Sequence, residues 1–478
     1  MMLGARNVLF KVPHRVLHGY GLTPGLVDEL AQLKPDLIIT VDSGIACLPG
    51  IAKAKQLGYQ VVVTDHHLPG EVLPEADAIV NPNLPDDGFA SKALAGVGVM
   101  FYLLLAVRRT LRESQLPGAD ADLSGLLDLV AIGTVADMVK LDANNRRLVK
   151  AGLSRINRGC CQPGVKALAQ ISGLALGKIT ETDIGFRIGP KINAAGRLED
   201  MALGIECLLA DDFGQALDMA ESLHSINLQR QELQQDMLEQ AEQALAEANA
   251  VADGSEKRAR ILFGSSWHPG IVGLVASKMK ELWHRPVLVF APSEPGSDEL
   301  RGSARSIPGF HIRDALAHVD ALHPGVITRF GGHAMAAGLT LSHRNLDRFG
   351  EAFESVAAAW IAEEDLQSVF WTDGPLQQHE FNRETALAIQ AAGPWGQGFA
   401  YPLFDNVFDV TAWQVLKDKH LKLQLALPDM GFMVDAIHFN GYRGEPPPKR
   451  VRAVYELQTN DFRERLAFQC LIRHMQPC

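Results

Sequence analysis

At 478 residues the chain is too long for one hydrophobic core, and about three domains are expected. Its balance of 47% hydrophobic and 21% charged residues is that of an ordinary globular protein, and a formal charge of −11 argues against coating nucleic acid by bulk charge, although a local basic groove stays open. The six cysteines form no CxxC pair, and no run reads as a transmembrane helix or a signal-peptide core, so a cytoplasmic protein with free thiols is the expectation.

The first third alternates strands and helices. Val8–Val12 reads as a strand stopped by Pro13, and Gly25–Leu33 as a helix. Two apolar strands follow, Leu37-Ile38-Ile39-Thr40-Val41 and Val61-Val62-Val63-Thr64, each ending in an aspartate, with a helix around Ile51–Leu57 between them. Ala78–Val80 is a further short strand ended by Asn81-Pro82. This β-α-β-α-β rhythm calls for a parallel, doubly wound α/β sheet. Helical periodicity then covers Gly98–Leu111 and Leu123–Ile132. Between Gly214 and Gly254 there is neither Gly nor Pro, which predicts one long connecting helix of roughly 60 Å. A second, smaller α/β pattern starts with strand Ile261–Phe263, then Trp267-His268-Pro269-Gly270, a helix and strand Val287–Phe290. Beyond Asp365, alternating segments within 408–416, 420–425, 434–439, 450–455 and 466–472 predict a small antiparallel barrel of the OB kind.

The candidate chemistry begins at Asp42, Asp65, His66 and His67. Acids that follow apolar strand residues emerge at the lip of a parallel sheet, where open α/β sheets bind ligands. Crowded carboxylates repel unless a cation or proton sits between them, and imidazole beside them favours Mn²⁺ or Zn²⁺ over Mg²⁺. A helix cap is the commoner role for one such aspartate, but two in tandem, one extended by His-His, favour a metal. Asp137, in Gly133-Thr134-Val135-Ala136-Asp137, is a third acid beside small residues, a weaker signal because a turn aspartate is commoner. Downstream, Gly331-Gly332-His333 reads either as an anion-facing loop or as a plain hairpin. Arg301, Ser303 and Arg305 recur at period two, either gripping phosphates from one strand face or decorating an exposed edge strand. Asn193-Ala194-Ala195-Gly196-Arg197 presents an amide and a guanidinium on a small-residue turn. The last 38 residues hold seven Lys/Arg against four Asp/Glu, and Trp413 and Phe432 offer aromatic faces either to a single strand or to the core.

Together these residues resemble the DHH phosphoesterase superfamily, and within it the RecJ-type single-strand-specific DNA exonucleases. The likeness runs nearly end to end. It is carried by Gly19-Tyr20-Gly21-Leu22, Thr40-Val41-Asp42-Ser43-Gly44-Ile45, Val63-Thr64-Asp65-His66-His67-Leu68-Pro69-Gly70 and Gly133–Asp137. It continues through Gly189-Pro190-Lys191-Ile192-Asn193–Arg197, Trp267–Gly270, Phe330-Gly331-Gly332-His333–Gly338 and Gly393-Pro394-Trp395-Gly396. The resemblance implies a DHH domain over 1–212, a connecting helix over 213–253, a DHH-associated domain over 254–362 and an OB-like nucleic-acid-binding domain over 366–478. It implies hydrolysis of single-stranded DNA from 5′ to 3′ in repair and recombination, with Mn²⁺ or Mg²⁺ as cofactor. Asp42, His66 and Asp137 would be metal ligands, and Asp65 and His67 would orient ligands or assist proton transfer. Asn193, Arg197, Arg301, Ser303, Arg305, Gly331, Gly332 and His333 would grip phosphates of a strand threaded between two domains. A monomer is implied, with single-stranded DNA as substrate, a single-strand-binding protein and a helicase as further partners, and no membrane.

One family motif, Asp-x-Asp-Ala-Asp-Gly ahead of the Gly-Tyr-Gly segment, has no counterpart: no Asp or Glu precedes Asp28. Leu17-His18 also stands where the family favours an acidic pair. The expectation is a start inside the ancestral reading frame. One metal site would keep three ligands and the other only the bridging Asp42, and the sheet would lose a central strand and expose apolar surface. Activity of a polypeptide beginning at Met1 would then be severely reduced. The competing readings are a non-catalytic single-strand binder and a short-oligonucleotide phosphoesterase, the latter disfavoured by the region after Asp365.

Overall fold

The structure, a computed structural model, describes residues 1–13, 21–251, 257–428, 431–460 and 467–478. Leu17-His18, Gly19-Tyr20 and Leu466 lie outside the described residues. The chain forms two compact units. The first comprises 1–192, 202–221 and 370–478, the second 193–201 and 222–369.

The first unit opens with α1 (Pro24–Ala31), whose Thr23 side chain caps the Leu26 N–H. Strands β1 (Leu37–Val41), β2 (Gln60–Thr64) and β3 (Ala78–Val80) form a parallel sheet in that order, with α2 (Leu48–Gln56) crossing between β1 and β2. Their β-branched side chains suit a pleated, half-buried surface. Val27, Ile51, Val61 and Val63 are fully buried against one face, each contributing about 1.5–3 kcal/mol relative to exposure. On the other face Leu37, Ile39 and Val41 are 42–47% exposed, and β1 is an edge strand among the described residues. The register pairs Val41 with Thr64, so Asp42 and Asp65 leave neighbouring strands at the same sheet edge.

Val8–Val12 forms no strand. Val8, Leu9 and Phe10 are exposed, and a strand without a pairing neighbour has nowhere to place its backbone hydrogen bonds. Helices α3 (Gly96–Glu113), α4 (Leu127–Ala136), α5 (Ala143–Asn157), α6 (Pro163–Ile171) and the short α7 (Glu181–Asp183) follow. A π turn at Ile184–Ile188 leads into α8 (Gly189–Leu198), then α9 (Ala202–Leu209) and α10 (Phe213–Val251), a continuous helix of 39 residues.

The second unit carries a five-stranded sheet in the order β4-β5-β6-β8-β7, from β4 (Arg260–Phe263), β5 (Val287–Pro292), β6 (Glu299–Arg305), β7 (Arg329–Gly332) and β8 (Ala336–Ser342). β4 and β5 are parallel and the other pairs antiparallel. Helices α11 (Val272–Trp283), α12 (Ile312–Leu322) and α13 (Leu346–Trp360) complete it, and β5 is buried along its whole length.

Returning to the first unit, α14 (Arg383–Ala392) precedes β9 (Phe404–Leu416), β10 (His420–Ala426), β11 (Met433–His438), β12 (Arg450–Asn460) and β13 (Ala467–Pro477). These close into a barrel in the order β10-β11-β13-β12-β9 around Phe408, Leu423, Leu425, Tyr455 and Cys470. The barrel is not wholly antiparallel, because β11 and β13 pair parallel to shut it. Trp413 stays partly exposed and stacks on Tyr442, whereas Phe432 packs on the barrel core. All six cysteines are free thiols, and no described helix is long and apolar enough to cross a membrane.

Candidate metal centre

Asp42 directly follows β1 with φ of 61°, a left-handed conformation that aspartate tolerates better than β-branched residues. Neither it nor Asp65 starts the next helix: Cys47 is the N-cap of α2 and Ala95 that of α3. Gly96, the first residue of α3, approaches Asp42 so closely that a Cβ there would collide with the aspartate side chain. The positive end of α3 thereby sits beside a carboxylate, a favourable arrangement.

His66 Nε2 lies 3.0 Å from Asp42 Oδ1 and 3.4 Å from Asp137 Oδ2. Asp137 reaches this position as the C-cap of α4. Burial opposes charge on the His66 ring, but the Asp42 hydrogen bond and the charges of Asp137 and Asp42 raise its pKa above the ordinary histidine value. Burial likewise raises the Asp137 pKa, with the Asp42 charge adding to it and His66 opposing. Two carboxylates thus converge on one imidazole nitrogen and call for positive charge between them, which a divalent ion supplies better than a shared proton. The donor set, two carboxylates and an imidazole, fits Mn²⁺ well and Mg²⁺ acceptably.

Asp65 plays a different part. It is 1% exposed. Its Oδ1 accepts from His66 N (2.7 Å), His67 N (3.1 Å) and His67 Nδ1 (2.7 Å), and its Oδ2 from Ile45 N (2.9 Å). Burial alone would raise its pKa, yet these donors hold it down at about 2. The hydrogen bond to Asp65 in turn raises the His67 pKa. His67 also places a ring nitrogen within 4.8 Å of ligand atoms of Asp42 and His66, so it stands nearer the centre than a purely orienting residue needs to.

Other supports were not visible as functional in the sequence. Asn81 donates to the His67 carbonyl and Asn83 to the His66 carbonyl, fixing the His-His turn. Asn81-Pro82 read only as a strand stop, and the amide pair flanking Pro82 was the available signal.

In the second unit, Arg301, Ser303 and Arg305 share one face of β6 as their spacing predicts. β6 is an interior strand, so the edge-strand explanation for these arginines fails. Arg305 Nε donates to Ser277 Oγ (3.0 Å) and Nη1 to Ser303 Oγ (2.8 Å), while Arg301 Nε is buried with no hydrogen-bond partner among the described residues. Gly331-Gly332-His333 lies at the end of β7 in the hairpin to β8, with His333 N donating to Ala336 O, and a Cβ at Gly332 would collide with that same carbonyl. Asn193 and Arg197 are not on a turn but in α8, where small residues permit close helix packing; Arg197 Nη1 donates to Gly270 O.

Family models match three stretches: the DHH family N-terminal domain over residues 2–134, the DHHA1 domain over 257–359 and the RecJ OB domain over 372–474. The chain is 44% identical, over 99% of its own length and 83% of the relative, to the single-stranded-DNA-specific exonuclease RecJ of Dickeya dadantii. It superposes on the crystal structure of RecJ in complex with Mn²⁺ from Thermus thermophilus with a TM-score of 0.78 and 29% identity, covering 95% of this chain and 64% of that one. The Mg²⁺ complex from the same organism gives a TM-score of 0.72 and 28% identity, covering 95% of this chain and 65% of that one.

Proposed function

The chain belongs to the family of RecJ single-stranded-DNA-specific exonucleases, and we propose that its sheet edge holds the catalytic metal while β6 and the Gly-Gly-His hairpin hold the substrate backbone. It is a metal-dependent exonuclease that hydrolyses phosphodiester bonds of single-stranded DNA with Mn²⁺ or Mg²⁺. The direction is 5′ to 3′, and the cellular setting is DNA repair and recombination.

Asp42, His66 and Asp137 would hold the ion, which when bound supplies a Lewis acid for the scissile phosphate. The remaining work belongs to the chain. Asp65 stays ionised and locks the His67 ring through Nδ1, so proton exchange by His67 runs through Nε2. Arg301, Arg305 and Ser303, with Gly331, Gly332, His333, Asn193 and Arg197, would bind phosphate oxygens without reading bases, as suits a nuclease indifferent to sequence. The barrel, through Trp413 and its basic C-terminal strands, would hold further nucleotides. A cytoplasmic monomer working beside a single-strand-binding protein and a helicase completes this reading.

The observation that carries it is the convergence of Asp42 and Asp137 on His66 Nε2 at the carboxyl end of a parallel sheet. With 5′-labelled single strands and Mn²⁺, the wild-type chain is expected to release mononucleotides and to leave duplex ends largely intact. Asp42→Asn is expected to lower the rate by about 100-fold or more, at the upper end of what damage to a metal site costs. Wild-type rates in that variant would remove Asp42 from the metal centre.

A further inference from the structure

Asp137 and the barrel region are joined through a short piece of backbone. Just beyond Asp137, Leu141 N donates to Gln397 O across 2.7 Å, in the loop between α14 and β9. The loop is tightly formed: Gly396 N donates to Phe399 O and Phe399 N to Gly396 O, at 2.9 and 3.0 Å. A Cβ at Gly396 would press on Leu141, and one at Gly398 on Lys140, so the loop backbone lies directly against this segment. Trp395 stacks flat on Phe399, ring centroids 4.7 Å apart and planes 7° apart, and its indole Nε1 donates to Ile389 O. Its backbone N–H donates to Glu181 Oε1. From α5, the Arg146 guanidinium sits 3.6 Å above the centre of the Phe399 ring and donates through Nη2 to Ala392 O at 2.8 Å. A cation over an aromatic face combined with a hydrogen bond makes a specific dock.

The same backbone is tied at its other side to the Asp42 end of the metal centre. Asn145 Nδ2 donates to both Lys140 O (2.9 Å) and Ala93 O (2.6 Å), and Ser91 Oγ donates to Asp142 Oδ2 (2.7 Å). Ala93 lies three residues before Gly96, which abuts Asp42. Between Asp137 and Leu141, Met138 is held at φ of 57°, a conformation a non-glycine residue keeps only when its surroundings impose it.

We propose that Arg146, Phe399 and Trp395 are positioning residues for Asp137: docking of the barrel-side loop on α5 and Leu141 sets where the Asp137 carboxylate stands in the metal centre. Metal affinity therefore depends on contacts made by a domain that supplies no ligand. The inference rests on Asp137 being a ligand, as proposed above.

The test uses the full chain and measures Mn²⁺ binding without DNA, from the electron paramagnetic resonance signal of free Mn²⁺, alongside kcat and KM on a short oligonucleotide. Arg146→Ala and Phe399→Ala are expected to weaken Mn²⁺ binding about tenfold. They should lower kcat at limiting Mn²⁺ with little change in KM, and saturating Mn²⁺ should recover the rate. Arg146→Lys keeps a donor but loses the planar stack and should fall between. Phe399→Leu keeps apolar bulk and serves if a truncation fails to fold, as checked by circular dichroism. Asp137→Asn separates the two readings. If it weakens Mn²⁺ binding while folded Arg146 and Phe399 variants bind Mn²⁺ as wild type does, the positioning role is overturned and the ligand assignment stands. If Asp137→Asn leaves Mn²⁺ affinity unchanged, the ligand assignment fails and the positioning role with it.

Discussion

The Asp65 carboxylate accepts from three backbone N–H groups and one imidazole, and it is buried while doing so. An amide at this position keeps one acceptor and turns a donor toward donors. Asp65→Asn is therefore expected to cost about 1–3 kcal/mol of stability, read from denaturant midpoints. It should also cost about 10–100-fold in Mn²⁺-dependent activity, because His67 loses its orienting partner. A wild-type metal response in that variant would make Asp65 a purely structural residue. Asp42, Asp65, His66 and His67 were legible in the sequence because each stands at a strand end, a local feature. That Asp65 is saturated was not legible, since one donor, Ile45 N, comes from a loop twenty residues earlier in the chain. Nor was the approach of Gly96 to Asp42, since the helical periodicity read from the sequence begins only at Gly98.

At the scale of elements, hydrophobic period decided most of the reading. The barrel strands alternate buried and exposed residues as their sequences do, and the segment without Gly or Pro is helical from Phe213 to Val251. Two elements went the other way. The run at 8–12 has strand composition but no pairing neighbour among the described residues, and 193–197 looked like a turn because Ala-Ala-Gly also suits tight helix packing. The edge or interior position of β6 likewise depends on which strand becomes its neighbour, which composition does not encode. Within the barrel, Asp405 on β9 is held below the ordinary carboxylate range by the Thr372 hydroxyl and, against the effect of burial, by the Arg452 guanidinium on β12. A depressed carboxylate stabilises the fold above the unfolded aspartate value of about 3.9, and this contribution is lost as pH falls through the lower folded value. Urea midpoints are thus expected to fall for the wild-type barrel below about pH 4. Asp405→Asn should be less stable by about 1–3 kcal/mol at neutral pH and show a flatter acid limb. An unchanged acid limb would place the proton-linked stability elsewhere.

At the scale of the whole molecule, the proposed metal ligands and the proposed phosphate contacts belong to different units: Asp42, His66 and Asp137 to the first, Arg301, Ser303, Arg305 and His333 to the second. Chelation of divalent ions is accordingly expected to abolish hydrolysis, and added Mn²⁺ to restore it. Single-strand binding, followed by fluorescence anisotropy, should survive far better, because none of the second-unit residues is assigned to the ion. Binding lost in parallel with activity would instead make the metal part of the substrate grip. Local patterns in the chain were enough to establish the family, the parallel α/β start, the barrel and the identity of the acids and histidines, since these depend on strand-end positions and on periods of two or 3.6 residues. It took the folded chain to establish that Asp137 meets Asp42 at His66 Nε2, that Asp65 is held ionised, and that a loop near residue 397 rests on the segment following Asp137. Each depends on at least one contact between residues 20 to more than 200 positions apart, which exists only once packing has closed the chain on itself.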